Sequence, residues 1–217
     1  MNFSLWDIVR HLASALGWTV ILSLLSFVLG GFGGLLILLM RTSRLAVLQW
    51  IARLHIEIFQ STPLLMQLFL VYFGMALSGI EVPAWLAAGL GLTLWSSAYF
   101  AEIWRGCVDA VPRGQWAASS ALGMGYLQQM RHIVLPQAFR IGIPPTVGFG
   151  VQVIKATAVT SIIGFMELSK TGSVITNATF QPFLVYSLVG LGYFLLCWPL
   201  SKFSHFLERK FDVADRL

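Results

Sequence analysis

Lys155 is the residue of this 217-residue chain whose chemistry is hardest to explain by packing, because it lies inside a long apolar stretch. Three hydroxyl residues follow it closely: Thr157, Thr160 and Ser161. A charge inside a membrane-spanning helix costs about 2.5–3.5 kcal/mol on insertion scales, so such residues are functional candidates. An ammonium group beside hydroxyls can hold a carboxylate or line a hydrated path. The structural alternative is a lysine that reaches a lipid headgroup or pairs with Glu57 or Glu102.

A second group of polar residues interrupts the apolar run 51–77 at residues 60–63. Proline has no backbone donor and suits the first turn of a helix, so Pro63 predicts a broken element there. We expect an interfacial stretch up to about Phe59 and then a span with Thr62 as its cap. Interrupted helices mark substrate sites in transporters, which makes four residues candidates for a transport path: Thr62, Gln67, Ser97 and Tyr99. Alternatively, Thr62 only caps the helix and the other three contact another helix.

The other sequence patterns that could indicate a catalytic, phosphate-binding or metal-binding site are weak. Residues 164–171 nearly match the phosphate-binding pattern G-x-x-x-x-G-K-T, but Ser169 replaces the second glycine and no strand precedes it. The four histidines (His11, His55, His132 and His205) fall near predicted interfaces and lack metal-ligand spacing. An intramembrane hydrolase needs a nucleophile with a base beside it, and the sequence offers Ser97 and Ser161 no obvious base. We therefore expect no catalytic residue, metal or bound cofactor on this chain.

The elements that must position these residues are membrane helices. The chain is 57% hydrophobic and 11% charged, whereas soluble domains average roughly 45–50% and 25%. Apolar runs of about 20 residues can cross a bilayer. The sequence predicts an all-α membrane protein with an amphipathic interfacial segment over 1–16 and a membrane domain over 17–217. Five spans are expected, at about 18–40, 62–77, 85–104, 136–163 and 183–200.

Two of these spans have features that bear on packing. In the first, the spacing of Gly30 and Gly34 favours close contact with another helix. The fourth contains Pro144, Pro145 and three glycines and is not expected to be a straight helix. At the end of the third, Glu102 and Arg105 lie on consecutive turns, which predicts a local salt bridge.

The distribution of basic residues predicts the orientation in the membrane. Eleven of the 14 Lys and Arg residues fall on one side of a five-span arrangement, with Arg10 and Lys170 opposite and Lys155 within a span. By the positive-inside rule, the polar loop 105–135 and the C-terminus are cytoplasmic and the N-terminus is outside. The net charge of +5 is thus explained by the membrane and does not indicate nucleic-acid binding.

Four stretches carry a resemblance to a known family: residues 61–69, 97–106, 114–138 and 179–183. They resemble, in the same order, the permease subunits of type I ABC importers for polar amino acids. The third stretch is similar to that family's coupling loop. The resemblance implies the type I permease fold, with a cytoplasmic coupling helix within about 105–135. The coupling residues are then Gly114, Ala117, Ala118, Ala121, Leu122 and Gly123.

The resemblance also implies how the chain works. ATP and Mg bind to a separate dimer of cytoplasmic ATP-binding subunits, and this chain performs no covalent step. It pairs with a second permease subunit, identical or different, and receives an amino acid from a periplasmic binding protein. The expected location is the bacterial inner membrane, in contact with lipid. The alternatives are a non-transporting membrane scaffold and an intramembrane hydrolase.

Residue types in the loop agree with a coupling role. The alanines are small and favour helix, which permits close approach to a partner, and Gly114 and Gly123 are expected where the chain turns. The alternative is a plain amphipathic surface helix. Three departures from the family pattern stand out: Ala117 in place of Glu, Gln60 in place of Arg, and Ala156 in place of Asp. They suggest one half of a heterodimer whose partner keeps the charges, and they argue against a site for a cationic side chain in this half.

Overall fold

The computed structural model describes residues 4–211, and every regular element in that range is helical, as predicted. The long helices are α1 (Leu5–Arg41), α2 (Ala46–Ser61), α3 (Leu64–Leu77) and α4 (Ala84–Asp109). Two short helices follow, α5 (Arg113–Ala121) and α6 (Tyr126–Gln129). A π-helical turn, Met130–Val134, leads into α7 (Leu135–Thr157), and a 3₁₀ turn, Ala158–Ile163, follows it. The described chain ends with α8 (Leu168–Thr179) and α9 (Pro182–Phe211).

Three helical segments of the described chain are long and apolar enough to cross a membrane: α1, the run Tyr126–Ile163, and α9. The pair α2 and α3 adds a fourth if the two are one broken span, bent by 108°. Helix α4 has 26 residues, which corresponds to about 39 Å at 1.5 Å per residue. The five predicted spans correspond to α1, α3, α4, α7 and α9, but their number stays a prediction.

Helix α1 continues across the predicted boundary near residue 16. Its 37 residues run without interruption from Leu5 to Arg41, so no helix end separates an N-terminal segment from the first span. The helix begins at Ser4, whose hydroxyl accepts a hydrogen bond from the Asp7 backbone N–H at 3.2 Å, while Asp7 accepts from the Ser4 N–H at 3.0 Å. This capping box starts the helix early. The interfacial position of residues 1–16 stays a prediction, and residues 1–3 lie outside the described range.

The tightest contact in the protein is the one between α1 and α4, and glycines make it possible. A Cβ atom added at Gly34 would lie 2.5 Å from the Phe100 Cβ, and one added at Gly33 would lie 2.9 Å from the Ser97 Cβ. Across the same contact, Ser96 donates a hydrogen bond from Oγ to the Ser26 carbonyl at 3.0 Å. The predicted packing role of the glycine-rich stretch is thereby confirmed. We refer to this contact as the α1–α4 seam.

The predicted break at Pro63 is confirmed, but its capping is different from the prediction. Pro63 itself precedes α3 as the N-cap residue, and no side chain caps that helix. Thr62 follows the last residue of α2, and its hydroxyl donates to the Ile58 carbonyl at 2.6 Å. Thr62 therefore belongs to the end of α2. The prediction of Thr62 as the cap of the following span was wrong.

Helix α7 tolerates both of its prolines. Pro144 and Pro145 lie inside the helix, which continues to Thr157. The regular α-helical pattern is lost at its two ends instead, in the π-helical turn before it and the 3₁₀ turn after it. Ser204 of α9 donates from Oγ to the Pro144 carbonyl at 3.0 Å. This bond fastens α9 to α7 at the level of the prolines.

Candidate coupling surface and transport path

The loop between α4 and α7 folds into a hairpin of two short helices, α5 and α6. Gly123 connects them with φ +75°, a left-handed conformation that glycine adopts without strain. The turn closes with hydrogen bonds from the Gly123 N–H to the Ser120 carbonyl (3.0 Å) and from the Met124 N–H to the Ser119 carbonyl (3.2 Å). The predicted turn at Gly123 is confirmed. Gly114 lies in the first turn of α5 without a positive φ, so the turn predicted there is wrong.

Gln129 holds the hairpin together. Its side chain is buried, and Nε2 donates to the Ser120 Oγ at 2.9 Å and to the Met124 carbonyl at 2.8 Å. The Trp116 and Tyr126 rings stack with their centroids 6.4 Å apart. Sequence reasoning missed Gln129, since a glutamine in a polar loop looks like an ordinary surface residue. The hairpin is therefore a rigid unit and not a loose loop.

One face of the hairpin exposes small and apolar side chains. Ala117, Ala118 and Ala121 are exposed, and Leu122 is 80% exposed, Tyr126 68% and Leu127 79%. We call these six residues the coupling face: Ala117, Ala118, Ala121, Leu122, Tyr126 and Leu127. A cluster of large exposed apolar side chains is typical of an interaction surface. Four of the six predicted coupling residues are thus exposed in the hairpin, with Gly123 at its turn and Gly114 near its start, and their coupling role stays a prediction.

Lys155 faces a cavity of about 410 Å³ between α7 and α9. Its side chain is exposed and has no salt bridge within 4.0 Å in the part of the chain that the structure describes. Tyr193, Cys197 and Ser201 of α9 line the same cavity. The cavity is lined by residues of two segments, Tyr126–Ile163 and Pro182–Phe211, that are apolar enough to cross a membrane, and the position of Lys155 in the membrane stays a prediction.

Glu102, which was considered as a partner of Lys155, forms salt bridges with other residues. Its carboxylate binds Arg41 of α1 at 2.5 Å and Arg105 at 2.9 Å, and Arg105 also binds Asp109 at 2.5 Å. The predicted Glu102–Arg105 bridge is confirmed and extends across the α1–α4 seam. Pairing of Lys155 with Glu102 was therefore wrong, and Lys155 forms no salt bridge with Glu57 either.

The hydroxyls that follow Lys155 in sequence do not accompany it in space. Thr157 and Thr160 are fully buried, and they donate to the Ile154 carbonyl at 2.7 Å and the Thr157 carbonyl at 2.6 Å. Ser161 is half-buried in the 3₁₀ turn. None of the three lines the cavity at Lys155. Most of the residues that line this cavity with Lys155 come from α9, and a path role for the three hydroxyls stays a prediction.

Gln67 secures the elbow between α2 and α3. It is 5% exposed, and its Nε2 donates to the Phe59 carbonyl at 3.0 Å and to both the carbonyl and the hydroxyl oxygen of Thr62 at 2.9 Å. The amide thereby satisfies carbonyls at the end of α2 that have no partner within that helix. This arrangement supports the alternative in which Gln67 serves the fold. A role of Gln67 or Thr62 in the path stays a prediction.

Ser97 and Tyr99 are both engaged in helix packing. Ser97 is buried and donates from Oγ to the Leu94 carbonyl at 2.7 Å, while His55 Nε2 lies 2.9 Å from the same oxygen. A base does stand beside Ser97, contrary to the expectation. The Leu94 carbonyl can only accept, so the Ser97 hydroxyl that donates to it receives the imidazole contact on its oxygen. Tyr99 stacks on Phe149 with ring centroids 5.4 Å apart.

Glu167 is a buried carboxylate that sequence reasoning missed. It is fully buried as the N-cap of α8, where it accepts from the backbone N–H groups of Ser169 (2.9 Å) and Lys170 (2.8 Å). The Tyr193 hydroxyl donates to it at 2.7 Å. Burial raises the pKa of the Glu167 carboxyl, and these hydrogen bonds partly offset that rise. Glutamate is not among the usual N-cap residues, so no sequence signal marked it. Its carboxylate occupies the helix N-terminus of the phosphate-like motif.

Comparison with known proteins places this architecture in a family. The family described as "Binding-protein-dependent transport system inner membrane component" matches residues 30–213. A probable amino-acid ABC transporter permease of Bacillus subtilis, YckA, is 38% identical over 93% of this chain and 89% of its own length. The L-cystine transport system permease TcyB of Bacillus subtilis is 31% identical over 95% of this chain and 91% of its own length.

Solved structures agree with these relatives. A chain of a crystal structure titled as an amino acid ABC transporter with histidines superposes with a TM-score of 0.91 and 33% identity, covering 97% of this chain and all of that one. The MetNI methionine ABC transporter in an inward-facing conformation gives a TM-score of 0.67 at 21% identity, which supports the fold alone. The type I importer permease fold is thereby confirmed. From its sequence and its architecture together, the chain belongs to the family of binding-protein-dependent transport system inner membrane components.

Proposed function

We propose that this chain is the membrane-spanning subunit of an ATP-driven amino-acid importer, where it forms the translocation path and transmits ATPase motion through the coupling face. The observation that carries the proposal is the rigid hairpin of α5 and α6 with its exposed apolar face. The relatives named as amino-acid ABC permeases support the substrate class. In this proposal the loop 105–135 and the C-terminus are cytoplasmic, and the N-terminus is outside the bacterial inner membrane.

The hairpin is connected closely to a long helix at each end, so it can transmit a displacement to both α4 and α7. Toward α4, only residues 110–112 separate it from that helix, and toward α7, α6 continues through the π-helical turn without a gap. Val111, Val134 and Ala138 form a buried cluster between these elements, with Trp116 packed against it. Closure of the ATP-binding subunits, which bind ATP and Mg, then displaces the hairpin as a unit. The displacement reaches both the α1–α4 seam and the cavity at Lys155.

The cavity between α7 and α9 is the best candidate for the transport path. A lysine at membrane depth without a salt bridge can attract the carboxylate that all amino acids carry, and charged groups in spans mark such paths. Ala156 supplies no negative charge next to it, so this half of the transporter is suited to the carboxylate and not to a cationic side chain. The proposed partners are a second permease subunit, with a heterodimer favoured, and a periplasmic amino-acid-binding protein.

Leu122→Asp tests the proposal at the coupling face. In proteoliposomes containing this chain, its second permease subunit and its ATP-binding subunits, with the periplasmic amino-acid-binding protein and substrate supplied, we expect the change to remove most of the substrate-stimulated ATPase activity and labelled amino-acid uptake. The physical reason is that a charge replaces an apolar side chain which becomes buried in the partner, at a cost of several kcal/mol. Leu45→Asp is the matched control, because Leu45 is also an exposed leucine, 63% exposed in the α1–α2 connection.

Two results would contradict the proposal. Unchanged ATPase stimulation and uptake in Leu122→Asp would show that the coupling face does not dock on the ATPase. Assembly with the ATP-binding subunits but no uptake of any amino acid by the unmodified complex would favour the non-transporting scaffold.

A further inference from the structure

The coupling face is bordered by positive charge that the described chain does not compensate. Between residues 110 and 166 there is no Asp or Glu, whereas Arg113, Arg131 and Arg140 lie in the same stretch. All three arginines are exposed, and none forms a salt bridge within 4.0 Å among residues 4–211. A surface with one sign of charge attracts a partner of the opposite sign.

Two of these arginines stand at the edges of the coupling face. Arg113 is four residues before Ala117 on α5, so the two side chains share one side of that helix. Arg131 is four residues after Leu127 in the continuous helical run from α6 into the π-helical turn, and it borders the other end of the face. The face therefore has an apolar centre, dominated by Leu122, Tyr126 and Leu127, and a basic border.

The nearest acidic residues cannot neutralise this border. Asp109 is bound to Arg105 at 2.5 Å, and Glu102 is shared between Arg41 and Arg105. On the C-terminal helix, Glu208 binds His205 at 2.9 Å. Asp109 and Glu102 thus already have arginine partners within the chain, and Glu208 is hydrogen-bonded to His205.

Building on the proposed function, we infer that the coupling face docks on an ATP-binding subunit whose receiving groove is apolar at its centre and carries Asp and Glu side chains at its rim. Interfaces combine an apolar core with a polar rim, and the described face has that arrangement with a single sign of charge. The apolar centre supplies the affinity. The arginines set the orientation and make the docking sensitive to salt, because rim charges act through electrostatic complementarity.

The test measures how salt changes the affinity between the full-length permease in nanodiscs and the ATP-binding subunit that copurifies with it. For the unmodified permease, we expect the apparent Kd to rise about tenfold between 50 and 500 mM NaCl, because the Debye length falls from above 10 Å to a few ångström. The double variant Arg113→Glu with Arg131→Glu should raise the Kd about tenfold at 50 mM NaCl and abolish or invert the salt dependence. Arg10→Glu, the same charge change on α1 far from the hairpin in sequence, should leave both quantities unchanged.

Leu122→Ser separates this inference from the proposed function. It should weaken binding at every salt concentration while the dependence on salt stays as in the unmodified permease. If Leu122→Ser weakens binding but the double arginine variant binds with normal affinity and normal salt dependence, the docking surface is correct and the acidic rim is wrong. If neither variant changes binding, the proposed coupling face itself is wrong.

Discussion

Glu102 and Lys155 are both charged residues of the apolar helices, but they differ in whether other residues of the chain form salt bridges with them. Glu102 lies at the α1–α4 seam, where Arg41 and Arg105 bind its carboxylate. Lys155 lies at the cavity between α7 and α9 and has no salt bridge with any described residue. A charge that its own chain satisfies holds the fold together. A charge left for another molecule is a candidate for function, since keeping it in the membrane costs free energy.

The same distinction separates the α1–α4 seam from the hairpin. At the seam, glycines let two helices approach until a single methyl group would collide with the neighbouring helix. At the hairpin, large apolar side chains stay exposed and the nearby arginines lack salt bridges within the described chain. The seam is complete within the subunit, whereas the proposed function requires partners to complete the hairpin and the cavity.

Gly34→Ala should have the largest effect on stability and would test the seam most directly. The added Cβ would lie 2.5 Å from the Phe100 Cβ and 3.0 Å from the Ser97 carbonyl oxygen, so the helices must separate. Overpacking of this kind costs about 1–3 kcal/mol. We expect a clear fall in the melting temperature of the purified protein in detergent.

Gly31→Ala is the matched control for that change. Gly31 is in the same helix, but a Cβ there would meet only the Trp104 ring at 3.8 Å. Removing a helix-interior glycine is favourable by up to about 1 kcal/mol, so the melting temperature should hold or rise. Equal losses in both variants would mean that glycine is needed for backbone flexibility and not for close packing.

Glu102→Gln should destabilise the seam to a smaller extent. The amide keeps the shape but leaves Arg41 and Arg105 without their anion. Charge-assisted hydrogen bonds contribute about 1.5–3 kcal/mol when buried, and partial exposure here reduces this to about 1–2 kcal/mol. The melting temperature should fall, and combining Glu102→Gln with Arg41→Gln should cost less than the sum of the two separate changes. Strict additivity would show that the bridge does not link the helices.

Lys155→Met should have the opposite effect, with a loss of transport but no loss of stability. Because no described residue is bound to the ammonium, the stability should be unchanged or higher, whereas uptake should fall about tenfold, which corresponds to about 1.4 kcal/mol for one lost charged contact. The measurement is labelled amino-acid uptake in proteoliposomes alongside the melting temperature. Normal uptake in Lys155→Met would show that transport does not require this lysine. The functional difference proposed between Lys155 and Glu102 would then be wrong.

Glu167→Gln extends the comparison to a buried carboxyl group whose charged form is disfavoured by burial. The pKa of Glu167 is raised in the folded protein, chiefly by burial. A raised pKa means that its contribution to stability is fully present below the ordinary glutamate pKa and is lost as the pH rises through the folded value. We expect the melting temperature of the unmodified protein to decline over that pH range and the variant to lack this part of the decline. A pH dependence identical in both proteins would assign the effect to another group.

Much of the fold followed from local patterns in the sequence. The apolar runs predicted the long helices, Pro63 predicted the break between α2 and α3, and the glycine spacing predicted the α1–α4 seam. Spacing along one helix also predicted the bridge between Glu102 and Arg105. Each of these predictions depends on groups close in sequence, or on an apolar content that suits a membrane.

The parts of the site that sequence reasoning got wrong depend on contacts between distant segments. Thr157 and Thr160 were grouped with Lys155 because they follow it, but their hydroxyls donate to backbone carbonyls, and the cavity at Lys155 is lined by Tyr193 and Cys197 of α9. His55 reaches Ser97 from another helix. Glu167 becomes a cap only because α8 begins there and α9 brings Tyr193 to it.

The sequence by itself determined that the chain is a helical protein with segments apolar enough to cross a membrane, and where its helices break, because hydropathy, proline and glycine act locally. Only the tertiary structure decided which charges are satisfied. A salt bridge or a cavity needs side chains from separate helices within a few ångström, and packing alone brings them to that distance.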